Sequence, residues 1–475
     1  MEKMSYEKLL CGERIRKHSR PADAYDKRSE FERDYHRIIG SASFRRLQDK
    51  TQGFALDSSD FVRTRLTHSL EVSSIAKSLG QSTGNLLVER GLISPSQARD
   101  ISDILLCAGL LHDIGNPPFG HFGETVIRGW YASNLETCLY KGKPIGTYLN
   151  ERQKLDLLNF EGNAQSLRVV AKLHHLVGDN GMNLTKGVMS AIIKYPTPSD
   201  GIDKKAGDIR LKKMGYFEAD EDLFKDISQS TGTFDRRNPL VYLLEAADDI
   251  AYSTADIEDG FKKGILSYEE LLRLVEDNRY TAEQKDSRLY TECTFAADYL
   301  KKMYARGLEN NEPEPGGYAV QNWAVCVQSR LIRAVCASFI DHQEELLAGI
   351  YTTDLFENTE AHFLIRVLKE IAAEHIFCVK PIVEKEVAAS SIIGGLMDMF
   401  VPALLKYDSG EKPGAVDEKL ISLVSPNYLR HYHARGDGRS ENERLYLRMI
   451  LINDFIAGMT DSFARSLYRG LKGMD

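Results

Sequence analysis

Apolar side chains recur along most of this chain at intervals of three and four residues, while alternating β-branched runs are few. That spacing matches the turn of an α-helix rather than the two-residue repeat of a strand, and it predicts an all-α fold. The clearest helices are expected over Ile101–His112 (ISDILLCAGLLH), Leu240–Ile257 (LVYLLEAADDIAYSTADI), Gln321–Leu347 and, near the C-terminus, Leu445–Leu467. Helix breakers gather in DNGMNLTKG (179–187), YPTPSDGIDKKAGD (195–208) and NNEPEPGGYA (310–319). The last cluster is the best candidate boundary. It divides a body of residues 1–310 from a C-terminal helical region, 311–475, that is expected to pack on the body and to supply subunit contacts.

Composition narrows the class. With 475 residues, 43% hydrophobic and 27% charged, the chain has the make-up of a globular protein and enough length for a large buried core. A net charge of -8 argues against a surface that grips nucleic acid everywhere, while leaving room for local basic pockets. The seven cysteines are scattered and form no C-x-x-C pair, so neither a disulfide framework nor a thiolate zinc site is indicated, and a reducing cytoplasmic setting is expected. Glu2 and Lys3 follow Met1 where a leader would be basic and then apolar. The longest apolar stretch, Ser391–Leu405, contains Gly394, Gly395, Asp398 and Pro402, and no membrane span is expected.

Costly polar residues then stand out against the apolar pattern. In RTRLTHSLEVSSIAKSLG (63–80), His68 shares a helix face with Val72, Ile75, Ala76 and Leu79 and so points inward. A lone histidine there is more often a satisfied core residue than a ligand. His112 and Asp113, however, end a helix that reads as almost wholly apolar, and a buried carboxylate is expensive without a cationic partner. Asp113 could cap a turn in HDIGNPP, but that would leave His112 unexplained. In LLEAADDIAYSTADIEDG (243–260), Asp248, Tyr252 and Asp256 recur every four residues on one face, and Asp249 lies about 100° away. Two imidazoles and two carboxylates, His68, His112, Asp113 and Asp248, suit a borderline or hard divalent ion such as Mn, Mg, Fe, Co or Zn with positions left open for water and substrate.

These motifs resemble the HD superfamily of metal-dependent phosphohydrolases. Long matches make the resemblance closer: RSEFERDYHRIIGSASFRRLQDKTQ (28–52), RTRLTHSLEVSSIA (63–76), LLHDIGNPPFGHFGE (110–124), NFEGNAQSLRV (159–169), AIIKYP (191–196), EAADDIAYSTADIEDG (245–260) and INDFIAGMTDSFA (452–464) are similar to the deoxyguanosinetriphosphate triphosphohydrolase (dGTPase) family. The resemblance implies an HD-domain helical fold with extra C-terminal helices and hydrolysis of a deoxynucleoside triphosphate, dGTP foremost, to deoxynucleoside and tripolyphosphate. It implies Mn or Mg as the ion, with Co, Fe, Zn or Ni as alternatives.

By motif position the resemblance makes His68, His112, Asp113 and Asp248 the metal ligands and His121 with Glu124 a catalytic dyad. Those two lie three residues apart, hence are neighbours on a helix, and a histidine held by a carboxylate is a sound acid/base pair. The resemblance also implies phosphate contacts from Arg65 and Lys194, with Lys213 beside them, sugar 3'-hydroxyl contacts from Gln52 and Asp256, a deoxyribose platform at Tyr252, and a supporting or phosphate contact at Asn163. Arg45, Arg46 and Lys212 are further candidates for the substrate's negative charge. A homo-oligomer, a hexamer by resemblance, is expected, with Arg444 or Arg448 reaching a neighbouring site. A nucleotide effector or single-stranded DNA is a further partner, the basic RIRKHSR (14–20) being one contact for the latter, although a solvated terminus explains it as well. Two alternatives stay open: another nucleotide as the substrate of an HD phosphohydrolase, and a non-catalytic nucleic-acid-binding helical protein.

Overall fold

The computed structural model describes residues 3–16, 25–53, 63–174, 181–276 and 287–474. Among the described residues the only strands are β1 (Leu139–Tyr140) and β2 (Lys143–Pro144), one short antiparallel pair. The rest of the regular structure is helical, as the three- and four-residue spacing requires. The elements that matter for the site are α1 (Glu30–Ile39), α2 (Arg65–Glu89), α3 (Pro95–Leu111), α4 (Gly120–Asn134), α5 (Gly162–Arg168) and α6 (Pro239–Lys262). They are followed by α7 (Thr291–Glu309), α8 (Pro315–Asp341), α9 (His362–Ile371), α10 (Lys380–Lys406), α11 (Glu441–Ala457) and α12 (Asp461–Lys472).

Local signals explain the boundaries. Thr64 caps α2 reciprocally with Thr67, and Ser94 caps α3 with Gln97 while Pro95 occupies the first turn, where its missing N–H is harmless. The cap starts α3 before Ile101, because its first turn is polar. Two expected helices are each divided. Gln321–Leu347 falls across the end of α8, after which Gln343–Ala348 forms its own short helix. Leu445–Leu467 is likewise two helices, α11 and α12. Gly458 ends the first and the Thr460 hydroxyl caps the second by accepting from the Phe463 N–H, so local stop signals override a continuous apolar period.

Burial falls into two apolar clusters. One runs from Met4 to Ile382 and holds α2, α3, α6, α7 and α8; α7 and α8, joined by an exposed loop at 310–314, both pack in it, and Trp323 donates from its indole to the Ala296 carbonyl at 2.9 Å. The other packs α4 against α10 and α11. The α2/α3 pair is the most extensive helix contact. A side chain at Gly109 would stand 2.5 Å from the Ser73 Cα, so this close approach requires glycine. Arg168 on α5, fully buried, bridges Asp220 at 2.9 Å and Asp454 of α11 at 2.6 Å, tying the clusters together. By length and apolar composition Pro315–Asp341 and Ile382–Lys406 are each long enough to cross a membrane, and half of each such window is buried inside the fold. In the basic stretch 14–20, residues 17–20 lie outside the described residues, and Arg14 is spent on Asp34 at 2.5 Å and Glu30 at 2.8 Å.

Candidate active site

α3 ends at Leu111, and His112 is its C-cap, so a largely buried helix delivers the HD pair to the interior. His112 donates from Nδ1 to the carbonyl of Gly109 at 2.8 Å, one turn back. That bond fixes the tautomer and leaves Nε2, buried and without a hydrogen-bond partner, turned toward carboxylates. Asp248 Oδ1 lies 3.5 Å from it, and Asp113 Oδ2 lies 3.4 Å away. His68 from α2 places Nε2 3.1 Å from the same Asp248 oxygen. One ligand atom each from His68, His112 and Asp248 lie within 4.8 Å of one another. Two imidazole nitrogens and a carboxylate oxygen around one point, with an orphaned Nε2 among them, fit a divalent ion with open positions. Asp113, the fourth expected ligand, stands beside this trio with its Oδ2 ion-paired to Arg65 and its Oδ1 accepting from Asn116 Nδ2 at 2.7 Å. Burial opposes charge on Asp248, but His112, Lys194 and His68 outweigh it and hold the carboxyl well below the usual range.

After the HD pair, Pro117 and Pro118 turn the chain and Phe119 takes φ 62°, a left-handed conformation that costs a non-glycine residue on the order of 1–2 kcal/mol. Gly120 follows at φ 59°, where a side chain would meet the Arg65 guanidinium at 2.7 Å. α4 starts there and puts His121 Nδ1 3.3 Å from Glu124 Oε2. His121 is 71% exposed and reachable, whereas Glu124 is buried. Glu124 is anchored by the Gly162 N–H at 2.8 Å. The hydrogen bond to Glu124 raises the His121 pKa above the ordinary imidazole value, against partial burial. Burial opposes the charge on Glu124, yet His121 and Lys213 hold its pKa below normal.

A cavity of about 450 Å³ opens over these groups. Its wall includes Gln52, Arg65, Asp113, His121, Asp248 and Tyr252, residues from segments far apart in sequence. Gln52 Oε1 and Asp256 Oδ2 are both buried polar atoms without a partner. Asp256 Oδ1 would lie 3.6 Å from a side chain at Gly53, a residue of the same wall, and burial pushes the Asp256 carboxyl well up. Lys194 Nζ stands 3.5 Å from Asp248 Oδ2. Lys213 and Asn163 converge instead on Glu161, at 2.9 and 2.6 Å, a buried acid of the NFEGN motif that sequence reasoning did not single out.

Other candidates point elsewhere. Arg45 donates to the Gly40 carbonyl at 2.9 Å, and Arg46 donates to Gly458 and lines a separate cavity of about 150 Å³ with Lys50, so neither is in the wall of the larger one. Lys212 is exposed and also outside that wall. Arg444 is paired with Glu441 at 2.7 Å and Asp408 at 3.2 Å, and Arg448 is fully buried on Glu441 at 2.7 Å, so both are engaged within their own chain.

The largest omission lies beyond residue 310. Phe377, Ile382, Lys385, Glu386 and Ala389 close one side of the cavity. Phe377 is parallel to Tyr252, with ring centroids 6.3 Å apart and planes 9° from coincidence. The spacing of 382, 385, 386 and 389 is one helix face and was available in the sequence, but it reads equally as packing. Asp249 is part of the wall as well; Lys369 holds it at 2.8 Å, and burial pushes its carboxyl up to about 6.

Known proteins match the chain along nearly its whole length. The HD domain family matches residues 65–188, which span His68, His112 and Asp113. The chain is 45% identical to a deoxyguanosinetriphosphate triphosphohydrolase-like protein of Listeria monocytogenes serovar 1/2a, over 99% of this chain and 100% of that one. It is 32% identical to a protein of the same description from Synechocystis sp., over 99% and 100% of the two chains. With a deoxyguanosinetriphosphate triphosphohydrolase of Serratia proteamaculans it shares 31% identity over 95% and 96%.

Proposed function

The chain belongs to the deoxyguanosinetriphosphate triphosphohydrolase-like family of HD-domain proteins, and from that premise we propose that it hydrolyses dGTP, ahead of other deoxynucleoside triphosphates, to deoxyguanosine and tripolyphosphate. The observation that carries this is one cavity of about 450 Å³ whose wall holds Asp248 of the His68–His112–Asp248 trio, His121 of the His121–Glu124 pair, and the parallel rings of Tyr252 and Phe377. That volume is in the range that holds a nucleotide-sized ligand.

His68, His112 and Asp248, with Asp113 beside them, would hold a divalent ion, Mn or Mg foremost, which supplies Lewis-acid polarisation of a phosphoryl oxygen. The residues of the chain do the rest. Arg65 and Lys194, now paired with Asp113 and Asp248, exchange those partners for the substrate's phosphates, and Lys213 extends the cationic edge. Asn163, bonded to the same Glu161 as Lys213, steadies that edge. His121, whose protonated form Glu124 favours, gives its proton to the 5' oxygen as that oxygen's bond to the α-phosphorus breaks; the oxygen of a water takes its place on phosphorus, and the proton that this water sheds restores His121. The unpartnered atoms of Gln52 and Asp256 receive the sugar 3' hydroxyl. Tyr252 packs under the sugar, where a 2' hydroxyl would be desolvated without a partner at a cost of about 1–3 kcal/mol.

Guanine presents two adjacent N–H donors on its pairing edge, and a carboxylate accepts both. Glu386, in the same cavity wall as Tyr252 and Phe377, would supply it; adenine's ring nitrogen acceptor at that position would face like polarity. In this reading the cellular protein is a cytoplasmic homo-oligomer that takes a dNTP as its small-molecule partner.

The test is product analysis of the purified Mn-loaded protein with each dNTP and rNTP, resolving tripolyphosphate from pyrophosphate and phosphate. Tripolyphosphate from dGTP, with Glu386→Gln lowering the dGTP to dATP ratio of kcat/KM by roughly 10- to 100-fold, is the expected result. No tripolyphosphate from any nucleotide would overturn the function, and an unchanged ratio would overturn the base assignment.

A further inference from the structure

The motif GMTD near the C-terminus carries a carboxylate that the reaction itself does not use. Asp461 is the first residue of α12 and is buried. Its helix is already capped by Thr460, so its oxygens are free to serve elsewhere, and both do. Oδ1 accepts the N–H of Phe119 at 2.9 Å. Oδ2 accepts the N–H of Thr51 at 3.0 Å and also the Thr51 hydroxyl. One carboxylate therefore holds two backbone segments, and each enters the cavity wall at once: Thr51–Gln52 on one side, Phe119–Gly120–His121 on the other.

Neighbouring bonds reinforce the same junction. Lys50 Nζ, buried, donates to the carbonyl of Asn116 at 2.6 Å and to that of Ala457 at 2.8 Å. Ser462 donates to Asp49 at 2.8 Å. Arg65 donates from Nε to the Thr51 carbonyl at 3.1 Å, so the segment held by Asp461 also seats that guanidinium. Phe119 is the residue that needs such help. It is left-handed without being glycine, and no side chain of its own stabilises the conformation that aims His121.

We propose that Asp461 is a positioning residue for the hydrolytic site, a brace from the C-terminal helix that fixes the His121 turn through Phe119 and the Gln52 segment through Thr51. The proposal rests on the role given to His121 above. Its two arms separate in kinetics: the Phe119 arm governs proton transfer, hence kcat, and the Thr51 arm governs substrate seating, hence KM.

The experiment compares full-length wild type, Asp461→Asn and Thr51→Val by steady-state kinetics on dGTP and by hydrogen exchange of peptides covering 49–53 and 116–122, with α2 and α3 peptides as the internal reference. In Asp461→Asn one N–H would face an amide donor. Its kcat should fall roughly 10- to 100-fold, as small misplacements of catalytic groups do, with faster exchange confined to the two peptides. Thr51→Val should raise KM with little change in kcat. Normal exchange in both peptides of Asp461→Asn, or acceleration spread equally over α2 and α3, overturns the brace. Local loosening with kcat and KM both unchanged overturns the positioning role. If the wild type releases no tripolyphosphate, the assigned function falls, and the brace is then decided by the exchange result alone.

Discussion

His112 donates Nδ1–H to the carbonyl of Gly109 at 2.8 Å, and the same bond that finishes α3 makes Nε2 the available lone pair. A neutral imidazole held this way is a ligand, and metal-binding histidines ordinarily have their second nitrogen so engaged. The expected outcome follows from linkage. Mn should raise the thermal midpoint of the wild type, by an amount equivalent to about 2.7 kcal/mol at a hundredfold excess over Kd. His112→Ala should lose both that response and Mn retention after dialysis, and kcat should fall by about a thousandfold, as expected if several kcal/mol of Lewis-acid stabilisation is lost. Metal analysis and scanning fluorimetry of the two proteins check it; equal Mn content would remove His112 from the ligand set.

The His121–Glu124 pair predicts a pH signature. Glu124 raises the His121 pKa, so with Glu124 ionised the imidazolium persists to higher pH than a free histidine would allow. A general acid must be protonated, and activity should therefore fall on the alkaline side as His121 loses its proton. Glu124→Gln removes the charge, lowers the His121 pKa, and should shift that alkaline limb of kcat to lower pH, with kcat at its optimum reduced roughly 100-fold. A displaced acid limb with the alkaline limb unmoved would make His121 a base instead.

How much of this could be read from the chain depends on what each residue costs. His112 and Asp113 were legible because nothing polar belongs at the end of an apolar helix unless it is paired. Asp248 and Asp256 were legible through their four-residue recurrence. The structure brings His68, His112 and Asp248 to one point across three helices. Phe377 and Glu386 were not legible, because an aromatic in the turn before α10 and an acid on that helix cost nothing locally and look like ordinary packing. Only the fold carries that helix back over the cavity. The break between α11 and α12 was missed for the converse reason: apolar spacing continues through Gly458 and Thr460, yet a cap decides the backbone. Asp461, just past that break, owes its environment to the turn and not to the period.

Asp156 supplies a prediction about stability remote from the chemistry. It is fully buried, accepts from Ser199 at 2.5 Å, from the Glu218 N–H at 2.7 Å and from the Tyr446 hydroxyl, and among the described residues has no cation in hydrogen-bonding contact. Burial, only partly offset by those bonds, pushes its carboxyl up to about 6. In the unfolded chain it titrates near 3.9. The folded state therefore holds a proton between those values that the unfolded state has released. Stability from this group is complete below about pH 4, declines as pH rises to about 6, and at neutral pH the ionised carboxylate carries a penalty of at most about 3 kcal/mol. Asp156→Asn should abolish this dependence. Its amide can donate to the Ser199 hydroxyl, whose own proton turns to the Arg152 carbonyl at 3.2 Å, while the amide oxygen still receives Glu218 and Tyr446. The measurement is the thermal midpoint of both proteins from pH 4 to 7. Subtracting variant from wild type should leave a curve that falls across pH 4 to 6 and then flattens, and a flat difference throughout would mean that Asp156 keeps its ordinary acidity inside the fold.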